Sequence, residues 1–297
     1  TARSLLPSMR QIVPSFDGTK LYCIHHRGEN PLTLVFLHGV GANWTVWKKE
    51  IEYFQRQGFS TLALDLRGHG LSEAPEEKKK YQMSNFTRDV YEVLQAGNIH
   101  KFCLIGHSFG GAVALNYCLL YKKKYPRSLV MVESSSSYPF KHNRLFNLPT
   151  LITKTVRFLV AHPIREQVNS WYHHFSRWHE VDLSVQGIRA EVHILQHLLY
   201  LTPLRSMVHT LDNAERYVRE NRSMIYNTLQ HLNLPTLIIA GEKDKIIPPY
   251  HSKLVKRLHK NAELKIIEGA KHRAIVKDCR QVSLLIHSFL SEHNLRD

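Results

Sequence analysis

The sequence GHSFGG occupies residues 106–111, directly after FCLI and directly before AVALNYCLL. The apolar run before it predicts a β-strand, and the small and apolar residues at 109–121 predict a helix. A serine on a tight turn between a strand and a helix needs glycine two residues before it and two residues after it, because a Cβ there would collide with the neighbouring elements. The segment therefore predicts that Ser108 is a nucleophile at the carboxyl end of a buried strand.

Working outward, the chain alternates β-rich apolar runs with helical patterns. Two short extended runs within 11–27 flank Asp17-Gly18, a dipeptide that favours a hairpin turn and hence an antiparallel edge. Near-continuous Val, Ile and Leu runs separated by helices indicate parallel strands that are buried on both faces. An α/β fold with an open, mostly parallel sheet follows. The parallel runs are 33–39, 59–70, 102–108, 129–135, 236–244 and 263–269.

Helical patterns cover 84–94, where Ser84 is the predicted N-cap, 109–121 and 273–293. The alternation stops at 138–222, a helical, aromatic and histidine-rich stretch that we interpret as an inserted lid between two parts of one core, 1–137 and 223–297. Lid aromatics at helical spacing could line an apolar pocket or pack the lid onto the core, and the nearby histidines lack the ligand spacing of a zinc site. The aromatic residues are Trp171, Tyr172, Phe175 and Trp178, and the histidines are His173, His174 and His179.

The predicted oxyanion hole combines two backbone N–H groups. One belongs to Phe109, at the start of the helix that follows the nucleophile, where the positive end of the helix dipole adds to the effect. The other belongs to Val40 in HGVG, residues 38–41, because glycines on both sides let that backbone turn toward the substrate oxygen. His38 itself is expected to pack and hydrogen bond behind this loop.

Position along the chain selects the other catalytic candidates. His272 follows the last strand-like run, and Asp244 follows the run before it, which gives the chain order serine, acid, histidine. A carboxylate at 244 can hold the imidazole in its productive tautomer and stabilise the imidazolium. Glu133, at the end of an earlier strand, is the competing candidate for the acid. His107 is not placed in sequence to be the base.

The motifs HGVG, DLRGHGLS (65–72), GHSFGG, GEKD and GAKH occur in an order that resembles the lidded α/β-hydrolase family of carboxylesterases and epoxide hydrolases. The resemblance covers the whole core and is weak across the lid. It implies hydrolysis of a carboxylic ester or related acyl bond without a cofactor, and structural roles for Asp65 and Arg67. Lys271 departs from it, since relatives commonly carry glycine there. Epoxide hydrolases of the family carry aspartate at the position of Ser108, which disfavours their chemistry here.

Charge, hydropathy and cysteine content indicate which classes of partner and which compartment to expect. The chain has 297 residues and a net charge of +15, but its Lys78–Lys80 and Lys122–Lys124 runs lack interleaved aromatics or a nucleic-acid module. No window reaches the ~20 apolar residues of a membrane span. Four cysteines without metal-ligand or CxxC spacing indicate a reducing compartment, so we expect a cytoplasmic protein. The first residue is not Met and no signal peptide pattern follows it, so a processed end is possible.

These observations together predict a serine hydrolase that works through an acyl-enzyme. Ser108 attacks, His272 carries the proton and the Val40 and Phe109 amides bind the oxyanion. The expected partner is a small apolar acyl substrate, with no metal, no cofactor and no nucleic acid. The alternative is a ligand-binding receptor that uses the same pocket with slow or no turnover. Fold alone does not choose among ester, lactone, thioester and carbon–carbon substrates.

Overall fold

The computed structural model describes residues 8–137 and 202–295. These residues form one eight-stranded sheet with the spatial order β1-β2-β4-β3-β5-β6-β7-β8. The strands are β1 (Met9–Pro14), β2 (Lys20–His26), β3 (Asn30–Leu37), β4 (Phe59–Leu64), β5 (Phe102–His107), β6 (Ser128–Val132), β7 (Thr236–Gly241) and β8 (Ala262–Ile267).

The antiparallel edge and the parallel centre are both as predicted. β1 pairs antiparallel with β2 across the turn at Asp17-Gly18, where Gly18 has φ +84°. β2 pairs antiparallel with β4, and the strands from β4 to β8 in the spatial order run parallel. Every residue of β4, β5, β6 and β7 is buried, because helices cover both faces of the sheet. The fold is therefore the predicted α/β fold with a mostly parallel sheet.

Seven described helices connect and cover the strands. Two of them, α1 and α7, pack on one face of the sheet, and α2, α3 and α4 pack on the other. The helices are α1 (Lys48–Arg56), α2 (Met83–Ala96), α3 (Phe109–Leu120), α4 (Leu204–His231), α5 (Pro249–Leu258), α6 (Ala274–Lys277) and α7 (Cys279–Glu292).

Three sequence predictions differ from the structure in detail. The predicted helix 273–293 is two helices, Ala274–Lys277 and Cys279–Glu292, which are separated at Asp278. α2 begins at Met83 with Gln82 as its N-cap and no side-chain capping bond, so the prediction of Ser84 as N-cap is wrong. The run 59–70 contains a strand only as far as Leu64, because Asp65 and the glycines after it form a tight turn at the edge of the sheet. Apolar residues such as Leu66 continue the strand pattern while the backbone has already turned.

Most of the predicted lid, residues 138–201, lies outside the described residues. The predicted boundary between 222 and 223 falls inside α4, which continues to His231. The N-terminal half of α4 packs on the segment that follows β4: Tyr81 Oη and Ser206 Oγ lie 2.9 Å apart, and Lys78 Nζ donates to Asp212 at 2.7 Å. Gly68 makes room for this approach, since a Cβ there would lie 3.0 Å from the Ser206 Cβ.

Candidate active site

Ser108 lies on a strained turn between β5 and α3. Its φ of +53° and ψ of −120° are rare for a residue with a side chain, and its N–H donates to the Val132 carbonyl at 2.9 Å. The flanking glycines make the turn possible. A Cβ on Gly106 would lie 2.3 Å from the Gly110 oxygen, and one on Gly110 would lie 2.3 Å from the Leu37 oxygen. A side chain at Gly106 or Gly110 would therefore collide with neighbouring backbone, as the glycine spacing predicted.

Two further side chains meet Ser108 at the carboxyl ends of the parallel strands. Ser108 Oγ and His272 Nε2 are 3.1 Å apart, and His272 Nδ1 and Asp244 Oδ2 are 2.7 Å apart. With Nδ1–H donating to the carboxylate, the Nε2 lone pair faces the serine hydroxyl. The structure thus brings together the three side chains that chain order selected.

The environment of Asp244 fixes its orientation. Its side chain is fully buried, whereas the His272 side chain is 17% exposed. The other oxygen, Oδ1, accepts the backbone N–H groups of Ile246 and Ile247 at 2.8 and 2.9 Å. A carboxylate held by two amides and one imidazole is satisfied while ionised, so it can stabilise a positive charge on His272.

The two predicted oxyanion donors lie at the start of α3 and in the loop after β3, both next to Ser108. Phe109 is the first residue of α3, and Val40 follows Gly39, where an added Cβ would lie 3.1 Å from the Ser108 Cβ. Among residues 8–137 and 202–295, neither amide donates a hydrogen bond to the protein. Gly41, with φ +79°, supplies the turn after Val40. The oxyanion role itself remains a prediction.

His38 supports this loop from behind, as expected. It is fully buried, and its Nδ1–H donates to the Gly39 carbonyl at 2.7 Å while Nε2 accepts the Leu66 N–H at 3.0 Å. Burial, with a smaller effect of nearby His69, lowers the pKa of His38 to about 3. A neutral imidazole that both donates and accepts ties the loop after β3 to the loop after β4.

Asp65 and Arg67 hold the loop after β4, in keeping with the structural roles that the resemblance implies. Asp65 is fully buried and accepts the N–H groups of Trp44 and Leu71 at 2.7 and 2.9 Å. Burial raises the pKa of Asp65 to about 7. Arg67, also fully buried, makes a two-pronged ion pair with Asp89 at 2.6 and 2.5 Å. Neither residue contacts the Ser108–His272–Asp244 group through a described hydrogen bond.

Residues that sequence reasoning did not assign also support the site. Ser134 Oγ donates to the Ser108 carbonyl at 2.6 Å and packs where a Cβ on Gly111 would lie. Thr202 is fully buried just before α4, and its Oγ1 donates to the Gly41 carbonyl at 3.4 Å. This bond links residue 202, which belongs to the predicted lid, to the Val40 loop. No sequence signal identifies these contacts, because Ser134 begins a plain run of four serines and Thr202 simply precedes a proline. The contacts depend on the folded positions of distant segments.

A possible metal-ligand set also lies here. His107, Glu133 and His272 bring nitrogen and oxygen atoms within 4.8 Å of one another. Each is already engaged, since His107 Nε2 donates to Glu133 Oε2 at 3.2 Å and His272 lies between Asp244 and Ser108. His107 and Glu133 are therefore hydrogen-bonded to each other, whereas the hydrogen bonds of His272 go to Asp244 and Ser108.

Comparison with known proteins identifies the family of this chain. Residues 33–278 match the family described as alpha/beta hydrolase fold. This chain belongs to the α/β-hydrolase family. The Exiguobacterium antarcticum esterase structure shares the fold, with a TM-score of 0.73 at 17% identity over 95% of this chain and 100% of the esterase.

Curated relatives of the α/β-hydrolase chain fall into different groups. It is similar to Protein ABHD8 of Mus musculus, 24% identical over 264 residues, which cover 87% of this chain and 55% of ABHD8. It is also similar to Epoxide hydrolase 4 of Mus musculus, 25% identical over 286 residues, which cover 90% of this chain and 75% of that protein. The chain thus spans about half the length of its ABHD8 relatives.

Two further observations concern the chain as a whole. Among the described residues, no helix is both long and apolar enough to cross a membrane. All four cysteines are free thiols, and three of them, Cys23, Cys103 and Cys118, are buried. Burial raises the pKa of the Cys103 thiol to about 12, so this group stays protonated and unreactive.

Proposed function

We propose that this protein is a serine hydrolase that cleaves a carboxylic ester or related acyl bond through an acyl-enzyme. The observation that carries the proposal is the continuous hydrogen-bonded line from Ser108 Oγ through His272 to the buried Asp244, with distances of 3.1 and 2.7 Å. This line matches the nucleophile, base and orienting acid of acyl-transfer enzymes.

The reaction follows from these positions. His272 Nε2 takes the Ser108 proton as Oγ bonds to the acyl carbon, and the carbonyl oxygen becomes an oxyanion held by the Val40 and Phe109 amides. The protonated imidazole then gives its proton to the leaving oxygen, nitrogen or sulfur. A water molecule, deprotonated by His272, attacks the acyl-enzyme, and the returned proton regenerates the Ser108 hydroxyl as the acid product leaves.

One observation weighs against the chemistry of the epoxide hydrolase relatives. The nucleophile position holds Ser108 instead of the aspartate expected for those enzymes, so an alkyl-enzyme ester cannot form there.

The remaining candidate outside enzyme catalysis is a binding protein that uses the same pocket with slow turnover. The alignment of Ser108 with His272 favours catalysis over binding alone, as does the lack of a hydrogen-bond partner for the Val40 and Phe109 amides within the part of the chain that the structure describes.

The substrate class is an apolar acyl compound of short to medium length. The proposal rests on the aromatic composition of the predicted lid, residues 138–222, and needs no metal or cofactor for any step. A panel of neutral acyl esters, lactones, thioesters and polyanionic esters tests it. We expect turnover of neutral acyl compounds to exceed that of charged ones and to survive EDTA.

Ser108→Ala is the control that separates enzyme from binding protein. With a simple activated ester, the parent protein should turn over at enzyme-like rates, and the variant should lose at least about 10³-fold in kcat. Equal, slow hydrolysis by both proteins would reject the enzymatic proposal and favour the receptor alternative. A clear preference for polyanionic substrates would instead reject the apolar acyl class.

A further inference from the structure

A second carboxylate, Glu133, lies buried between the nucleophile turn and the loop that carries His272. Its side chain is fully buried, and Oε2 accepts two hydrogen bonds, from His107 Nε2 at 3.2 Å and from the Ala274 N–H at 3.1 Å. His107 immediately precedes Ser108, and Ala274 follows His272 by two residues. One carboxylate therefore ties together the two segments whose alignment brings Ser108 and His272 into contact.

The backbone around Glu133 is arranged to place this side chain. Glu133 has φ +48°, a left-handed value that costs a non-glycine residue about 1 kcal/mol or more, and its N–H donates to the Ile239 carbonyl at 2.7 Å. Gly241, at the end of neighbouring β7, opens the space, since a Cβ there would lie 2.8 Å from Glu133 Oε1. A strained backbone and a glycine thus both serve the position of one carboxylate.

Glu133 also acts on His272 through charge. A carboxylate oxygen of Glu133 lies within 4.8 Å of a ring nitrogen of His272, and the rings of His107 and His272 are 5.0 Å apart between centroids. Among residues 8–137 and 202–295, the titratable side chains with a recorded approach to the His272 ring are Asp244, Glu133 and His107, and Lys271 and Arg273 flank it in sequence. At this distance, a carboxylate charge interacts favourably with the positive charge that forms on the ring when it takes a proton from the nucleophile.

We propose that Glu133 is a positioning residue for His272, which anchors the His272 loop against the nucleophile turn and adds a second buried negative charge beside the imidazolium. This inference rests on the proposed function, because it assumes that His272 carries a proton in the reaction. Asp244 remains the acid that contacts the ring. Glu133 acts through the backbone of Ala274, through His107 and through space.

The test is the pH dependence of kcat/KM in Glu133→Gln. Glutamine can still accept the Ala274 N–H through its amide oxygen but carries no charge, so the variant isolates the electrostatic part. We expect kcat to fall about 10-fold with KM within about twofold, and the acid-side half-maximum of kcat/KM to move down by about one pH unit. A residue that only maintained the fold would lower the amount of active protein without moving that half-maximum.

Two variants complete the design. Glu133→Asp keeps the charge but withdraws it by one methylene from Ala274, so kcat should fall while the acid-side half-maximum stays at the parent value. Glu50→Gln is the control for placing an amide at another buried carboxyl group: Glu50 is fully buried, burial raises its pKa well above the usual value, and neither of its carboxyl oxygens has a hydrogen-bond partner among the described residues. Its kcat and pH profile should match those of the parent.

The outcomes distinguish a failure of the role inferred for Glu133 from a failure of the proposed function on which it rests. If hydrolysis requires Ser108 but folded Glu133→Gln keeps the parent kcat and pH profile, the role of Glu133 is rejected and the hydrolase proposal stands. If hydrolysis does not require Ser108, the proposed function itself fails. Should Glu133→Gln not fold, unchanged kcat in Glu133→Asp would overturn the inference on its own.

Discussion

At the scale of single residues, two buried carboxylates lie near one imidazole and make different contacts with it. Asp244 bonds to the His272 ring at 2.7 Å, whereas Glu133 bonds to the backbone two residues further on. A direct bond to Nδ1–H fixes the tautomer that leaves Nε2 free to accept the serine proton. We therefore assign the stronger catalytic effect to Asp244.

Asp244→Asn should lower kcat by about 10³- to 10⁴-fold and change KM for a small ester little, because the acid does not touch the bound substrate. The amide keeps the shape of the carboxylate but offers a donor to His272 and no charge. Steady-state kinetics on protein shown to be folded give the measurement, with Glu133→Gln as the comparison. Near-normal kcat in Asp244→Asn, together with a collapse in Glu133→Gln, would reverse the assignment.

Sequence order was sufficient to select Ser108, His272 and Asp244, because each follows a strand whose carboxyl end lies at the same edge of the sheet. It was not sufficient to describe Glu133, which appeared only as a competing acid. The contacts of Glu133 depend on a positive φ and on the glycine of a neighbouring strand. Neither feature leaves a local pattern in the sequence.

At the scale of elements, close packing of the nucleophile turn against β3 couples the fold to the site. The Gly110 backbone approaches the Leu37 and His38 carbonyls so closely that a Cβ would lie 2.3 and 2.5 Å from their oxygens. Those two residues lead directly into the Val40 loop. A change in this contact should therefore affect stability and the oxyanion donors together.

Gly110→Ala should lower the free energy of unfolding by about 2–4 kcal/mol, because backbone on both sides of the contact must move apart. Gly18→Ala is the control: its φ is +84° but nothing lies within 4 Å of the added Cβ, so the cost should be only about 1 kcal/mol of backbone strain. Urea unfolding of both variants provides the comparison. Equal stability losses would contradict the close-packing explanation.

Element types were predictable from hydrophobic pattern, and element ends were less so. The predicted run 59–70 overran β4 because apolar Leu66 continues the strand pattern into a turn fixed by Asp65 hydrogen bonds. α4 crosses the predicted boundary of the lid because its amphipathic pattern is continuous through residue 222. For β4, contacts between residues that are distant in sequence, which a local pattern cannot contain, determine where the strand ends.

At the scale of the whole molecule, two adjacent imidazoles are buried in neutral form. His38 and His69 are fully buried with ring centroids 5.4 Å apart, and burial lowers their pKa values to about 3 and about 4. In the unfolded chain, both take an ordinary value near 6.5. The folded state therefore resists protonation that the unfolded state accepts, and acid favours unfolding.

Above about pH 6.5, both imidazoles are neutral in the folded and in the unfolded chain, so they do not lower the free energy of unfolding. The free energy of unfolding should fall as the pH decreases from 6.5 toward 4, because only the unfolded chain then binds these two protons. The two histidines together contribute a slope of up to about 2.7 kcal/mol per pH unit in that range. His69→Gln should reduce the slope between pH 6.5 and 5 by up to about half of that amount. Urea unfolding at several pH values measures it.

His100→Gln is the control, because His100 is exposed and its hydrogen bond is to nearby Asn98. That variant should leave the slope unchanged. An identical slope in the parent and in His69→Gln would show that the buried pair does not govern acid unfolding. Composition alone could not identify this pair among 20 histidines, since burial distinguishes them.

The most direct test of the account is covalent labelling by a fluorophosphonate, read by intact mass and peptide mapping. Only a hydroxyl aligned with its base and facing oxyanion donors reacts rapidly with such a probe. We expect one adduct per chain, located on Ser108, no adduct in Ser108→Ala, and strongly slowed labelling in Asp244→Asn. Labelling that persists unchanged in Ser108→Ala, or a parent protein that the probe does not label, would contradict the assignment of Ser108 as the nucleophile.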